Sequence, residues 1–193
     1  KDYASFRRVM LDRMAQIASE TDAYLMTDMA HIAGLVAAGV IPSPVAVSDF
    51  VTFTCYKTMM GGRGGVILAK KRFSDRIDRA VFPGSQGTSP VNVMAAKALC
   101  FRLAGTKAFT RIQRRTVGNA RRLAAGLAGE GYRIVTGGTD NHQVIVDTGA
   151  AGVTGAEAEA ALEAAGIAAN RNAIPSDDGR PGTVSGLRLG TAA

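Results

Sequence analysis

The sequence is short of cysteine, of aromatic residues and of long apolar runs, and each shortage narrows what it can do. Its only cysteines, Cys55 and Cys100, stand at no metal-site or disulfide-framework spacing, so they read as core thiols of a reduced, cytoplasmic protein. There are two histidines, and no cluster suggests a metal centre. No apolar run is long enough to span a bilayer, and nothing has the build of a signal peptide. There are no internal repeats. Aromatic residues make up 6% of the chain, which bears on its charge of +7. A basic chain can attract nucleic acid or anionic small molecules. Here the basic residues are densest at Arg102, Lys107, Arg111, Arg114, Arg115, Arg121 and Arg122. They stand on a helix-like segment with few aromatics and no nucleic-acid motif. We read them as a solvated helix face, with a basic nucleic-acid-binding protein as the distant alternative.

What is present is a 193-residue chain that is 47% hydrophobic, enough for a sizeable core. It starts at Lys1, and its closing LRLGTAA reads as the end of a strand, which suggests a fragment of a longer protein. Residues 6–20 have helical periodicity, and 23–28 is a short apolar run ending in Asp28. A short helix is expected over 30–39, strands over 49–55 and 64–70, and a helix from 91. Strands separated by short helices predict an α/β domain with a mixed or parallel sheet. A long amphipathic helix over 107–131 follows, and then strand-like YRIVTGG and HQVIVDTG, a helix over 154–166 and a final strand SGLRLG. This second texture predicts a smaller α+β unit, with the boundary inside the long helix: domains 1–110 and 111–193.

In open α/β sheets, ligands sit beyond the carboxyl ends of strands. Asp28 ends one strand and Lys57 follows another, so both can face one crevice. An amine held away from water makes a good Schiff-base former, and pyridoxal phosphate needs such a lysine plus a carboxylate for its pyridine nitrogen. The same residues also suit plainer roles, Asp28 as a turn cap and Lys57 as a surface lysine beside a glycine loop. His31, three residues beyond Asp28, could stack on a flat ring or be structural. His142 reads as structural, and the Met59-Met60 pair as packing. Arg188, on an otherwise apolar strand, suits a two-pronged carboxylate clamp or an ion pair.

Several long stretches together carry a family resemblance. DMAHIAGLVAAGVIPSP, YKTMMGGRGGVILAKK, VFPGSQG, AAKAL, GGTDNHQVIVD, NRNAIP and SGLRLGT resemble the serine hydroxymethyltransferases, in that family's order and spacing over nearly the whole chain. The resemblance implies a fold type I pyridoxal-phosphate transferase, aspartate-aminotransferase-like. Residues 1–110 would be the C-terminal part of the large cofactor domain, and 111–193 the start of the small C-terminal α+β domain. It implies a homodimer or homotetramer acting on an amino acid, with no nucleic acid and no membrane. Lys57 matches the lysine that joins the cofactor as a Schiff base, Asp28 the partner of the pyridine nitrogen, and His31 the histidine stacked on the ring. Thr54 matches a threonine beneath the cofactor linkage, and Arg63 the arginine of the loop behind the lysine. Arg188 matches the arginine that grips the substrate α-carboxylate, and Asn172 an asparagine on the folate pteridine. The implied chemistry breaks the Cα–Cβ bond of a β-hydroxy amino acid, with tetrahydrofolate carrying the one-carbon unit.

The chain departs from the family pattern at four places. Tyr56 replaces the histidine before the lysine. Thr88 and Ser89 replace a glycine and a proline, and that glycine's amide is expected on the cofactor phosphate of the neighbouring subunit. Asn92 replaces a histidine. Arg180-Pro181-Gly182 replaces a Ser-Pro-Phe near the folate. With the lysine, Asp28, His31 and Arg188 in place, these changes fall around the partner substrate. They also resemble the threonine transaldolases, including fluorothreonine transaldolase, which work without folate and stand as the alternative.

Overall fold

The computed structural model describes residues 3–88, 90–177 and 184–192. Ser89 and the Arg180-Pro181-Gly182 loop lie outside the described residues. The chain forms two compact units, Lys1–Arg114 and Arg115–Ala193, which divide inside one helix.

The first unit is built on a mixed sheet in the order β1-β2-β3 (Met26–Asp28, Phe50–Thr54, Gly65–Ala69). β1 runs parallel to β2, and β3 antiparallel to it. Side chains alternate between the two faces of a strand, so Val51 and Phe53 point one way and Thr52 and Thr54 the other. The Val51 face is the buried one. It packs with Met29, Ala33, Met59, Cys100 and Phe109, which come from α2 (Ala33–Ala37), α4 (Val91–Ala104), the start of α5 (Lys107–Gly129) and the connecting loops. The cysteines are thus core thiols, and burial pushes both of them up from the ordinary thiol range. Two elements are shorter than the sequence pattern predicts. β1 begins only at Met26 because the Leu25 N–H is taken by the Asp49 side chain and its carbonyl by the Asp49 and Phe50 amides. α2 begins only at Ala33 because Ala30 and Ile32 spend their N–H groups on a turn around Asp28 and Met29. α1 (Tyr3–Glu20) precedes the sheet, and α3 (Ser74–Arg79), which the periodicity does not predict, follows β3.

The second unit is an antiparallel sheet in the order β4-β5-β7-β6 (Arg133–Ile134, Gln143–Asp147, Gly186–Gly190, Asn170–Asn172). The later part of α5 lays Ala120, Leu123, Ala124 and Leu127 onto it, the i, i+3, i+4, i+7 stripe of an amphipathic helix. Val144, Val146 and Leu189 meet that stripe. The seven basic residues of the 102–122 stretch are all exposed, as a solvated face requires. α6 (Gly155–Ala164) opens on a capping box, in which Thr154 and Glu157 each satisfy the other's backbone amide. β6 has no apolar alternation to announce it. It is a strand because Asn170, Arg171 and Asn172 pair with Arg188, Leu187 and Gly186 of β7.

One glycine of the first unit is required by contact. A Cβ on Gly34 would stand 2.0 Å from the Thr58 carbonyl oxygen, and backbone on both sides leaves nothing to rotate away. Gly34→Ala is therefore expected to destabilise the first unit by about 1–3 kcal/mol or more, the range of forced overpacking. Urea unfolding of the two forms measures it.

Candidate functional site

The site is laid out by strand register. Asp28 pairs with Thr52, and Thr52 with Ile67, so these side chains share the sheet face away from the core. The Thr52 hydroxyl donates to Asp28 Oδ2 at 2.8 Å. The backbone bends directly after Asp28, and the Ala30 N–H donates to Oδ1 at 2.9 Å. Each carboxylate oxygen keeps lone pairs open beyond these bonds. The Ala30 amide and then the Thr52 hydroxyl hold the Asp28 carboxyl below its ordinary value of 3.8, against a desolvation cost; the charges of Lys57 and His31 act in the same direction. Asp28 is thus an anion at neutral pH, at the mouth of the sheet.

The Asp28 face forms one wall of a cavity of about 950 Å³. Thr52 and Thr54 share this wall, Lys97 of α4 closes one side, and Ser85, Gln86 and Thr88 of the following loop close another. The structure therefore brings Asp28, Thr54 and Thr88 of one chain to one cavity. Lys57, Tyr56, His31 and Arg63 lie outside its lining and form a second group around the turn after β2. There the Tyr56 ring, 42% exposed, has the Arg63 guanidinium 5.0 Å and the Lys57 ammonium 5.9 Å from its centroid. Both are within cation–π range. Lys57 is half-buried, and among the described residues its ammonium has no hydrogen-bond acceptor. By contrast, Lys70 and Lys97 each donate to a backbone carbonyl, at 2.8 and 3.0 Å. Asn92 stands exposed on the first turn of α4.

The turn that carries Lys57 is fastened at several points. Cys55 N–H bonds to the Gly64 carbonyl, Met60 N–H to that of Lys57, and Gly61 N–H to that of Cys55. Thr58 is 1% exposed. Its hydroxyl donates to the His31 carbonyl at 2.8 Å and accepts from the Gly34 N–H at 3.0 Å. The Thr54 hydroxyl leans on the Ala30 carbonyl at 3.3 Å. Backbone from the Asp28–Gly34 stretch and from the Lys57 turn is thus stitched together. Met59 is buried in the core, whereas Met60 is exposed with a left-handed φ of 61°.

In the second unit, Arg188 lies on β7 between Asn170 of β6 and Ile145 of β5. Its guanidinium donates to Asn170 Oδ1 at 3.2 Å, and among the described residues no carboxylate pairs with it. Among the described residues the four further N–H donors of the fork have no acceptor. Asn172, two residues along β6, pairs with Gly186, and its amide donates to the Ala173 carbonyl. His142 is buried, as a structural histidine would be.

The first unit thus sets a strand-end carboxylate beside a lysine on a fastened turn, and the second carries an arginine with no carboxylate partner among the described residues. The sequence profile of the serine hydroxymethyltransferases matches residues 3–193. A serine hydroxymethyltransferase of Acidobacterium capsulatum is 51% identical over 181 residues, which cover 94% of this chain and 42% of that relative. The chain belongs to the serine hydroxymethyltransferase family and spans 42% of the length of the curated relative it matches.

Three contributors escape the sequence reading. Thr52 could have been found from the period-two alternation with Thr54, which puts it beside Asp28. Thr58 and Gln113, which bonds the Thr58 carbonyl, give no sequence signal, because only the fold brings them to the turn. Removing the Thr52 hydroxyl tests the electrostatic account. In Thr52→Val the Asp28 carboxyl should titrate at higher pH than in the parent, followed by carbon NMR of that group. Because the folded value lies below the unfolded one, Asp28 favours folding above about pH 3.8, its ordinary value, and that contribution fades as the pH falls through the folded value. Thr52→Val should therefore narrow the acid-stable range.

Proposed function

We propose that the polypeptide carrying this chain is a pyridoxal-phosphate enzyme that moves the β-carbon of serine to and from tetrahydrofolate. The observation that carries this reading is Asp28, held as an anion at the end of β1 within the field of Lys57, whose ammonium has no hydrogen-bond acceptor among the described residues. These residues fit the cofactor: an open carboxylate suits its protonated ring nitrogen, and an amine with no hydrogen-bond acceptor among the described residues suits its aldehyde. When bound, pyridoxal phosphate supplies an electron sink for the pair released when the Cα–Cβ bond breaks.

The chain's own residues would do the rest. Lys57 supplies the amine to which the cofactor is attached, and Asp28 keeps the proton on the ring nitrogen by staying ionised. His31 covers the ring, while Thr54 and Arg63 border the attachment point. Arg188 turns its open fork to the substrate α-carboxylate, and Asn172 offers its amide to the folate. Lys1–Arg114 would be part of the large domain of a fold type I transferase, and Arg115–Ala193 part of its small domain. The active form would be a cytoplasmic homodimer or homotetramer, with the Thr88 loop reaching the cofactor phosphate of the neighbouring subunit. The free, buried cysteines suit that compartment.

Two arms test the reading on the full-length polypeptide. Borohydride reduction after loading with pyridoxal phosphate should place a pyridoxyl group on Lys57 by peptide mapping; a label on another lysine removes the assignment. Serine formation from glycine should then require methylenetetrahydrofolate. A new β-hydroxy amino acid from threonine and a second aldehyde, without folate, would instead make the protein a transaldolase.

Arg188→Lys should keep the cofactor and weaken amino-acid binding by roughly 10- to 100-fold, because an ammonium cannot form two parallel bonds to a carboxylate. Calorimetric titration with glycine reads this, and unchanged affinity would refute the clamp.

A further inference from the structure

We propose that Gln113 is a positioning residue for Lys57 and acts through the Thr58 carbonyl. The inference builds on the reading of Lys57 as the reactive lysine, and it concerns how that lysine is held.

Gln113 lies in the first half of α5, 55 residues along the chain from Thr58, and is 2% exposed. Its Nε2 donates to the Thr58 carbonyl at 2.7 Å and lies 3.8 Å from Met60 Sδ. The Thr58 oxygen can only accept, so the amide must present nitrogen to it; the flipped amide would set oxygen against oxygen. The other end, Oε1, is buried with no partner among the described residues. Burying a half-satisfied carboxamide is unfavourable, and an apolar side chain of the same length would instead leave the buried Thr58 carbonyl without a donor. The position holds a glutamine at which one bond is made and the other forgone. That identifies the Thr58 contact as what the side chain is there for.

The bond completes the fastening of Thr58. With the hydroxyl already tied to the His31 carbonyl and the Gly34 amide, the bond from Gln113 fixes the carbonyl side too. Thr58 thus cannot turn its peptide plane without breaking a buried contact. Consecutive Cα atoms are about 3.8 Å apart, so fixing Thr58 fixes the point from which Lys57 projects. The Lys57 carbonyl is itself held by the Met60 amide. The direction in which the lysine leaves the backbone is therefore set by a helix remote in sequence as well as by the strand before it.

The test uses the full-length polypeptide without cofactor, so that it reads the lysine itself. Parent and Gln113→Met are acetylated with acetic anhydride across a pH series, and mass spectrometry follows Lys57 against Lys70 and Lys71 as internal standards. Gln113→Met should change the rate at Lys57 relative to the standards by about fivefold, the factor that one ordinary hydrogen bond is worth. The ratio of Lys70 to Lys71 should not move. An unchanged Lys57 ratio overturns the proposal, whatever happens to the melting temperature, because a purely structural glutamine would shift stability alone. If Gln113→Met does not fold, hydrogen exchange of the parent under mild denaturant decides. Residues 55–61 and the Gln113 turn of α5 should then open as one unit, and separate opening refutes the link. Borohydride trapping with cofactor on the parent stays a separate measurement. Its failure would remove the cofactor reading and leave the labelling result standing as a test of Gln113.

Discussion

The contact between the Gly34 segment and Thr58 governs the first unit. A backbone carbonyl lies so close to an α-carbon that only glycine fits, and one hydroxyl bridges the two backbones. Through it, the stretch after β1 and the turn after β2 behave as one body. Asp28 ends β1 and Lys57 lies on the turn after β2, so chain connectivity alone does not set their relation. Their relation is set by β1–β2 pairing on one side and by the Thr58 bridge on the other. An electrostatic pairing between an exposed carboxylate and a flexible lysine would be weak if left to itself. Here the field of Lys57 at Asp28 is a product of backbone geometry, and neither charge has to provide it.

Asp28 shows how little charge pairing contributes. The Ala30 amide and the Thr52 hydroxyl lower its pKa more than Lys57 and His31 do. Hydrogen bonds from neutral donors keep the carboxylate ionised without consuming its charge. An ion pair would neutralise it and leave less for a cationic ring nitrogen. Arg188 follows the same logic with the sign reversed. Its hydrogen-bond partner is a neutral amide, Asn170, which orients the guanidinium and leaves its charge available. Both groups are prepared by dipoles, so each unit carries its own unspent charge.

How much of this could be read beforehand depended on the range of the interaction. The mixed sheet, the long helix and the strand-end positions of Asp28 and Lys57 follow from local alternation and periodicity. Arg188 stood out as an arginine on an otherwise apolar strand, and family spacing added Arg63 and Asn172 as candidates. β6 was invisible because a strand of Asn170, Arg171 and Asn172 owes its existence to its neighbour. Thr58 and Gln113 were invisible because their roles arise from contacts across 24 to 55 residues. Separate from all of these is the division of the site residues into a cavity group and a turn group. Asp28 and Thr54 share the cavity with Thr88, whereas Tyr56 gathers Lys57 and Arg63 around its ring. Nothing in the order of residues along the chain separates these two groups.

The two long helices differ in a way that bears on the rest of the molecule. α5 carries one apolar stripe for each stretch it serves, and its arginines face water. α4 buries Cys100 against the sheet but leaves Val91, Met94, Leu99 and Leu103 each more than half exposed, with Phe101 also exposed. A helix apolar on several sides is built to be covered on several sides. α1 adds Met10, Met14 and Ile17, an exposed i, i+4, i+7 stripe. Apolar surface of this extent is unusual on a monomeric protein. The contrast is chemical as well as spatial. The groups that would meet a cofactor are fixed by contacts inside the first unit, whereas α1 and much of α4 present unsatisfied packing. The Lys57 turn can therefore keep its geometry independently of what covers those helices, because none of the hydrogen bonds that fasten it runs through their exposed faces.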